Sequence, residues 1–416
     1  MRRTYIGFGF GPIQAGLFVH EARRAGDFDR YVISEIDPAL VSALRRSGGS
    51  CTLNLARPQS VEPVKVEGVE LYDPRVPEDR AVLAAAIAEA THGVTAVGSV
   101  GDYARPGAEN IPDLLIEGLR RRKRAEPLVL YAAENDNRAA EILGNAFRAR
   151  APLGLGERLA PVNTVIRKMC GKITEPAEMA EPGRARLTPQ ADRALLMEEC
   201  NEVLVRRPNA GGPGRGLTFL QEKTDLAPFA EAKLYGYNAV HALVAYLGAL
   251  RGHRTVAEAG RDAPILDAAR RAFIDESGAA MIRRHGHTGD PLFTPPGFRA
   301  HAGNVLERMV CPHLHDLVER VGRDPRRKLG WDDRLCGAMR LALDAGLDPV
   351  ALSLGTAGAV LALSRESDGP ASPAALTPGH IRRMLRSAWG HDADERAETL
   401  IALTTRAMEA LRTWPD

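Results

Sequence analysis

Residues 4–37 read TYIGFGFGPIQAGLFVHEARRAGDFDRYVISEID, and the order of the parts in this stretch points to the architecture of the N-terminal half. Thr4 to Gly9 is a short apolar run that reads as a strand. Gly7, Gly9 and Gly11 crowd its exit, and Ile13 to Arg24 then shows helical periodicity. Arg30 to Ile36 is a second strand, closing on Ser34, Glu35, Ile36 and Asp37. Strand, glycine turn, helix and strand form a crossover unit, which lies on a parallel sheet. Glycine permits the tight turn and lets backbone approach a pyrophosphate, whose charge would face the helix N-terminus. Pro12 removes one N–H from that first turn. It is tolerated there, because the first helical N–H groups have no helical partner in any case.

Glu35 stands where a ribose-binding carboxylate belongs. A carboxylate accepts the ribose hydroxyls and repels a 2′-phosphate, and no arginine follows in the next residues to offset that repulsion. NAD is therefore expected over NADP, held by Gly7, Gly9, Gly11, Pro12, Ile13 and Glu35.

Outward from this unit the alternation continues. Strands are expected at Val64 to Leu71, Val94 to Val97 and Leu128 to Ala133. Helices are expected at Pro38 to Arg46, Arg80 to Thr91, Ile111 to Lys123 and Ala139 to Arg148. Gly211 to Gly214 marks a loop, and Leu217 to Leu220 one more short strand. From Ala227 helical periodicity dominates, with stops at Gly252, Gly286 to Gly297, Gly322, Gly346 and Ser367 to Pro378. The expected fold is α/β plus all-α: a Rossmann-like doubly wound domain over 1–190, then a mostly helical substrate domain over 191–416.

Composition excludes several classes. A net charge of +2 on 416 residues gives no footprint for nucleic acid, and the basic run Arg120 to Arg124 reads as the end of an amphipathic helix. No apolar run approaches the ~20 residues of a membrane span. The five cysteines are dispersed without a CxxC pair, which suits reduced thiols in a cytoplasmic protein. The N-terminus enters a strand directly, so no signal peptide is expected. The expected partner is a small-molecule substrate, in a monomer or homodimer.

A second constellation opens the helical half. In Lys233-Leu234-Tyr235-Gly236-Tyr237-Asn238-Ala239-Val240-His241 the polar residues are offset by five and three. On an α-helix these offsets lie about 140° and 60° apart, so Asn238 and His241 share a face more closely than Lys233 does. Spacing alone also fits an amphipathic helix with polar residues toward solvent.

The stretch KLYGYNAVHALVAYLGALRGHRT, however, resembles the K-x4-N-x2-H signature of the polyol-specific long-chain dehydrogenases, and most nearly the mannitol-1-phosphate 5-dehydrogenase branch. The resemblance extends to the glycine turn, TAVGSV (95–100), AAEN (132–135), ESGAAMI (276–282) and the VERVGRDPRRKL…DRL block (318–335). Val97 and Glu134, within two of these segments, complete the expected cofactor set. The resemblance implies a metal-free mechanism with Lys233 as general base, Asn238 and Asn135 as donors to the oxygen that gathers charge, and His241 orienting the substrate. Desolvation or neighbouring cations would have to lower the Lys233 pKa for that role. Arg308, Arg327 and Lys328 are the expected substrate-binding cations, as a phosphate would require. The family's D-R-I segment is replaced by Arg167-Lys168-Met169, and the C-terminal tail matches only in helical character.

Cys311-Pro312-His313-Leu314-His315 invites a zinc reading but lacks a CxxC or HxxxH partner set, so no metal is expected. The expected reaction is NAD-dependent interconversion of a polyol phosphate and a ketose phosphate. A free polyol or uronate is the alternative substrate, and a non-catalytic NAD-binding protein is the rival class.

Overall fold

A computed structural model describes residues 3–181, 183–206 and 216–414. The expected loop at Gly211 to Gly214 lies outside the described residues. The chain divides into two compact units, Met1–Leu226 and Ala227–Asp416. The division falls beyond the boundary at 190 read from sequence, because three strands after that point pair within the N-terminal unit.

The strands of that unit are β1 (Thr4–Phe8), β2 (Arg30–Ser34), β3 (Cys51–Ala56), β4 (Val61–Val66), β5 (Val69–Tyr72), β6 (His92–Thr95), β7 (Leu128–Ala132), β8 (Leu159–Ile166), β9 (Cys170–Ile173), β10 (Ala194–Glu198), β11 (Val203–Arg206) and β12 (Leu220–Lys223). Eight form one sheet in the order β12-β11-β8-β7-β6-β1-β2-β5. The run from β5 to β8 is parallel throughout, with β1 between β2 and β6. Strand order thus reverses at β1, as a doubly wound sheet requires, and ligands of such sheets bind at that switch point beyond the carboxyl ends.

Both faces of the sheet are covered, which is why its strands read as unbroken apolar runs rather than as alternating ones. Tyr5, Tyr31 and Ile33 pack into one buried cluster with Leu17 and Phe18. Ile6, Phe8 and Val32 point the other way, against Leu83, Ile87 and Leu115. Helices Pro38–Arg46, Pro77–Glu89, Ile111–Arg121 and Ala139–Arg148 match the expected ones closely. Of the basic run after the third, Arg122 turns inward and gives its guanidinium to the carbonyls of Glu126, Ala88 and Ala90. Arg120 and Arg121 stay in the solvated last turn.

Two strand expectations are corrected. The run Val64 to Leu71 is two strands, because Gly68 at φ +68° breaks it. β4 pairs antiparallel with β3, whereas β5 lies parallel to β2. The strand expected at Leu217 to Leu220 begins only at Leu220, after a turn closed by the Leu220 N–H on the Leu217 carbonyl.

A second sheet, β4-β3-β10-β9, was not expected. It grows from the first. Pairing of β8 with β11 and of β9 with β10 belongs to one bent antiparallel ribbon, bridged by Arg167 N–H to Glu202 O (3.0 Å) and Glu198 N–H to Met169 O (3.1 Å).

The C-terminal unit is helical as expected. Its longer helices include Ala239–Leu250, Pro295–Met309, Val350–Glu366, Pro378–Trp389 and Ala397–Arg412. Helix Val350–Glu366 lies close against Ala239–Leu250 through its glycines. A Cβ on Gly355 would sit 2.9 Å from Leu243, and one on Gly358 2.8 Å from Tyr246. No helix of the described residues is long and apolar enough to cross a membrane.

Candidate functional site

In the N-terminal unit the carboxyl ends of β7, β6, β1, β2 and β5 lie in a row, and every sequence-selected residue of this half except Gly7 follows one of them. The glycines divide the work. Gly7 is still in β1, where a Cβ would meet the Gln14 amide at 1.8 Å, so it serves close packing of helix on strand. Gly9 makes the turn, at φ +79° and with a Cβ position 2.8 Å from the Ala96 carbonyl. Gly11 faces open space, with nothing within 4 Å of a Cβ. Gly16, inside the helix, approaches Met197 of β10 at 3.2 Å. Pro12 and Ile13 open the helix, which then widens into a π-helical segment, Gln14–Val19, before resuming as His20–Ala25. Such segments recur at functional sites.

Glu35 is buried at the end of β2. One carboxylate oxygen accepts the Phe10 N–H (2.7 Å) and the other the Asp37 N–H (2.9 Å), which fixes the acid against the glycine turn. Asp37 caps the next helix through Ala39 and Leu40 N–H and pairs with Arg193 at 2.6 Å. Glu134, beyond β7, turns inward: it accepts the Val97 N–H (3.0 Å), the Thr95 hydroxyl (2.9 Å) and the Tyr103 hydroxyl. Burial raises its pKa against the pull of those donors. Its carboxylate therefore braces the loop that carries Val97. Asn135, next in sequence, is exposed.

In the C-terminal unit Lys233 and Asn238 both fall in a π-helical segment, Ala232–Asn238, that runs straight into helix Ala239–Leu250. This changes the angular reading. A π-helix bonds residue i to i+5, so the fifth neighbour lies about one turn away on the same side. Lys233 and Asn238 are thus stacked, and His241 follows within roughly 60° on the α-helical continuation. All three side chains are partly buried.

Asp316 was not read from the sequence. Its Oδ2 lies 2.9 Å from His241 Nε2, off the ring's in-plane N–H direction, and its Oδ1 takes the Arg320 guanidinium (Nε, 3.0 Å). Burial pushes the Asp316 pKa up, but the His241 and Arg320 partners outweigh it and hold the acid below its ordinary value. The missed signal was the i,i+4 pair Asp316–Arg320. Its long-range partner left no trace in spacing.

The expected phosphate cations are engaged within the unit. Arg308 bonds the Asn304 amide oxygen at 3.0 Å. Arg327 is exposed and pairs with Asp324 (2.7 Å) and Asp333 (3.5 Å). Lys328 is buried and gives its ammonium to the Arg323 carbonyl; desolvation, with Arg334 and Arg327 nearby, lowers its pKa to about 8. Pro312–Leu314 is a single 3₁₀ turn, and among the described residues no three His, Cys, Asp or Glu side chains group to hold a metal ion.

These features define a class: a Rossmann-like α/β unit followed by an all-helical unit that bears a Lys–Asn–His face. The same fold is seen in the Pseudomonas fluorescens mannitol 2-dehydrogenase ternary complex with NAD and D-mannitol (TM-score 0.70, 16% identity, 99% of this chain and 92% of that one). It is seen also in a D-sorbitol dehydrogenase in substrate-free form (TM-score 0.73, 15% identity, 99% of this chain and 94% of that one). Residues 225–403 match the mannitol dehydrogenase C-terminal domain. Over most of its length the C-terminal unit is thus similar to the corresponding domain of the mannitol dehydrogenases.

Proposed function

We propose that the chain is an NAD-dependent oxidoreductase that interconverts a secondary alcohol of a polyol, or polyol phosphate, and the corresponding ketose. The observation that carries this reading is the π-helical turn that stacks Lys233 with Asn238 and leads into His241, itself backed by Asp316. Bound NAD would supply the hydride acceptor. The pinned Glu35, the turn at Gly9 and the open space at Gly11 fit a dinucleotide.

Each residue has one task. Lys233, in its neutral form, takes the hydroxyl proton from the substrate alcohol. The Asn238 amide donates to the oxygen from which that proton leaves, stabilising charge there without a metal. Asn135 is proposed as a further amide donor to the substrate. His241 hydrogen-bonds a neighbouring hydroxyl, with the Asp316 carboxylate 2.9 Å from its Nε2. Val97 and Glu134 act on the cofactor side, Glu134 through the loop it braces.

The phosphate reading rests on Arg308, Arg327 and Lys328. The free-polyol reading is favoured by the way those cations are used: Arg327 is offset by two aspartates and Lys328 is turned inward. A panel of ketose phosphates, free ketoses and keto-uronates, followed by NADH oxidation, tests both. Preference for phosphorylated substrates selects the first reading and preference for free ketoses the second. NADH binding without turnover on any of them would return the chain to a non-catalytic NAD-binding role.

A further inference from the structure

Beyond the carboxyl end of β5 lies a feature that sequence adjacency concealed. Arg75 reaches across to the end of β2 and donates from Nη2 to the carbonyl of Ile36, the residue after Glu35. It is held in place by Asp73, through Nε (2.9 Å) and Nη2 (2.8 Å), and its own N–H bonds the same acid (2.9 Å). Three of its contacts are therefore fixed, while Nη1 makes no hydrogen bond and the side chain stays 41% exposed.

Apolar side chains are exposed beside it. Four large hydrophobic side chains of the described residues are exposed, and two of them, Ile36 (37%) and Val76 (40%), flank this guanidinium in the structure or in sequence. Exposed apolar side chains beside a ribose-binding acid suit the face of an adenine ring. Of the acids nearby, Glu109 acts on Arg75 through its charge, and three others are already spoken for. Glu35 accepts two backbone N–H groups, Asp37 caps a helix and pairs with Arg193, and Asp73 is taken up by Arg75. The unused donors here belong to Arg75.

We propose that Arg75 is the cofactor-discriminating residue of this site: its free amino group receives the 2′-phosphate that Glu35 alone would repel, so the chain binds NADP as well as NAD. This rests on the dinucleotide reading above. It also extends the expectation of NAD over NADP, which was drawn from the residues that directly follow Glu35. The compensating cation comes from the turn after β5.

The test is direct titration of the full-length protein with NADH and with NADPH, followed by nicotinamide fluorescence, in wild type, Arg75→Ala, Arg75→Gln and Arg75→Lys. Wild type is expected to bind both. Arg75→Ala should lose NADPH affinity by at least about tenfold, as removal of a charge-assisted bond to phosphate implies, with NADH affinity within about threefold. Arg75→Gln keeps a donor at the position from which Nε meets Asp73 and should lose NADPH alike, so a folding defect in the alanine variant leaves the inference testable. Arg75→Lys should retain part of the affinity. Wild type that binds NADH but not NADPH, or an unchanged ratio in both neutral variants, overturns the inference and leaves the dinucleotide reading standing. Wild type that binds neither overturns that reading, and the inference with it.

Discussion

At the scale of single residues, the proposed chemistry turns on a proton leaving an alcohol for an amine. Lys233→Ala should lower turnover by about 10²- to 10⁴-fold, the range of one general base, and leave NADH affinity unchanged in fluorescence titration. Activity retained at wild-type level would remove Lys233 from the mechanism. Asp316 acts one step back, on His241. Asp316→Asn should reduce kcat/KM for the sugar by about tenfold without altering NADH binding, and Asp316→Glu should restore part of it. A structural role alone would appear as lost thermal stability with unchanged kinetics. The acid also makes a prediction about pH. Its folded pKa lies below the ordinary 3.8, so its charged form stabilises the native state above that value, and this contribution disappears as pH falls through the lowered pKa. The stability gap between wild type and Asp316→Asn should therefore narrow below about pH 4 in urea titrations.

At the scale of elements, the helix that carries His241 is positioned by what packs on it. Gly355 and Gly358 bring helix Val350–Glu366 within contact of Leu243 and Tyr246, where an added side chain meets atoms at 2.9 and 2.8 Å. Gly358→Leu should cost at least about 1–3 kcal/mol by overpacking, read as a lower denaturation midpoint. The same helix begins at buried backbone donors, and Glu276 supplies their acceptor through Ala351 N–H (2.7 Å) and Leu352 N–H (2.8 Å). Burial raises the Glu276 pKa above its ordinary 4.5 despite those donors, so the native state holds the proton more tightly than the unfolded chain. That contribution is complete below about pH 4.5 and lost as pH rises through the folded value. The deficit of Glu276→Gln relative to wild type should accordingly be largest near pH 4 and shrink toward neutrality.

How far the sequence reveals these elements depends on whether their determinants are local. Strand β1, the glycine turn and helix Ala139–Arg148 stand where periodicity put them, because burial on both faces and turn chemistry are written in consecutive residues. The second sheet was illegible, since β3 is defined by its partners β4 and β10, the latter about 140 residues away. The angle between Lys233 and Asn238 was misjudged for a related reason: spacing assumes an α-helix, and the widened turn is a tertiary outcome.

At the scale of the molecule, the chain is two compact units, each with its own buried apolar side chains, and the two halves of the proposed chemistry are assigned to different units. Arg75, Glu35 and the glycine turn belong to the first, Lys233, Asn238 and His241 to the second. That separation makes cofactor binding testable without substrate. A ligand that binds only the folded state stabilises it by roughly 2.7 kcal/mol at one hundred times its Kd. NADH should therefore raise the Tm of wild type and of Lys233→Ala equally. Glu35→Ala should blunt the shift in either background, because it removes both the ribose acceptor and the brace on the glycine turn. A shift that instead vanished in Lys233→Ala and survived in Glu35→Ala would mean that the nucleotide is held by the helical unit. The division of labour proposed for the two halves would then be reversed.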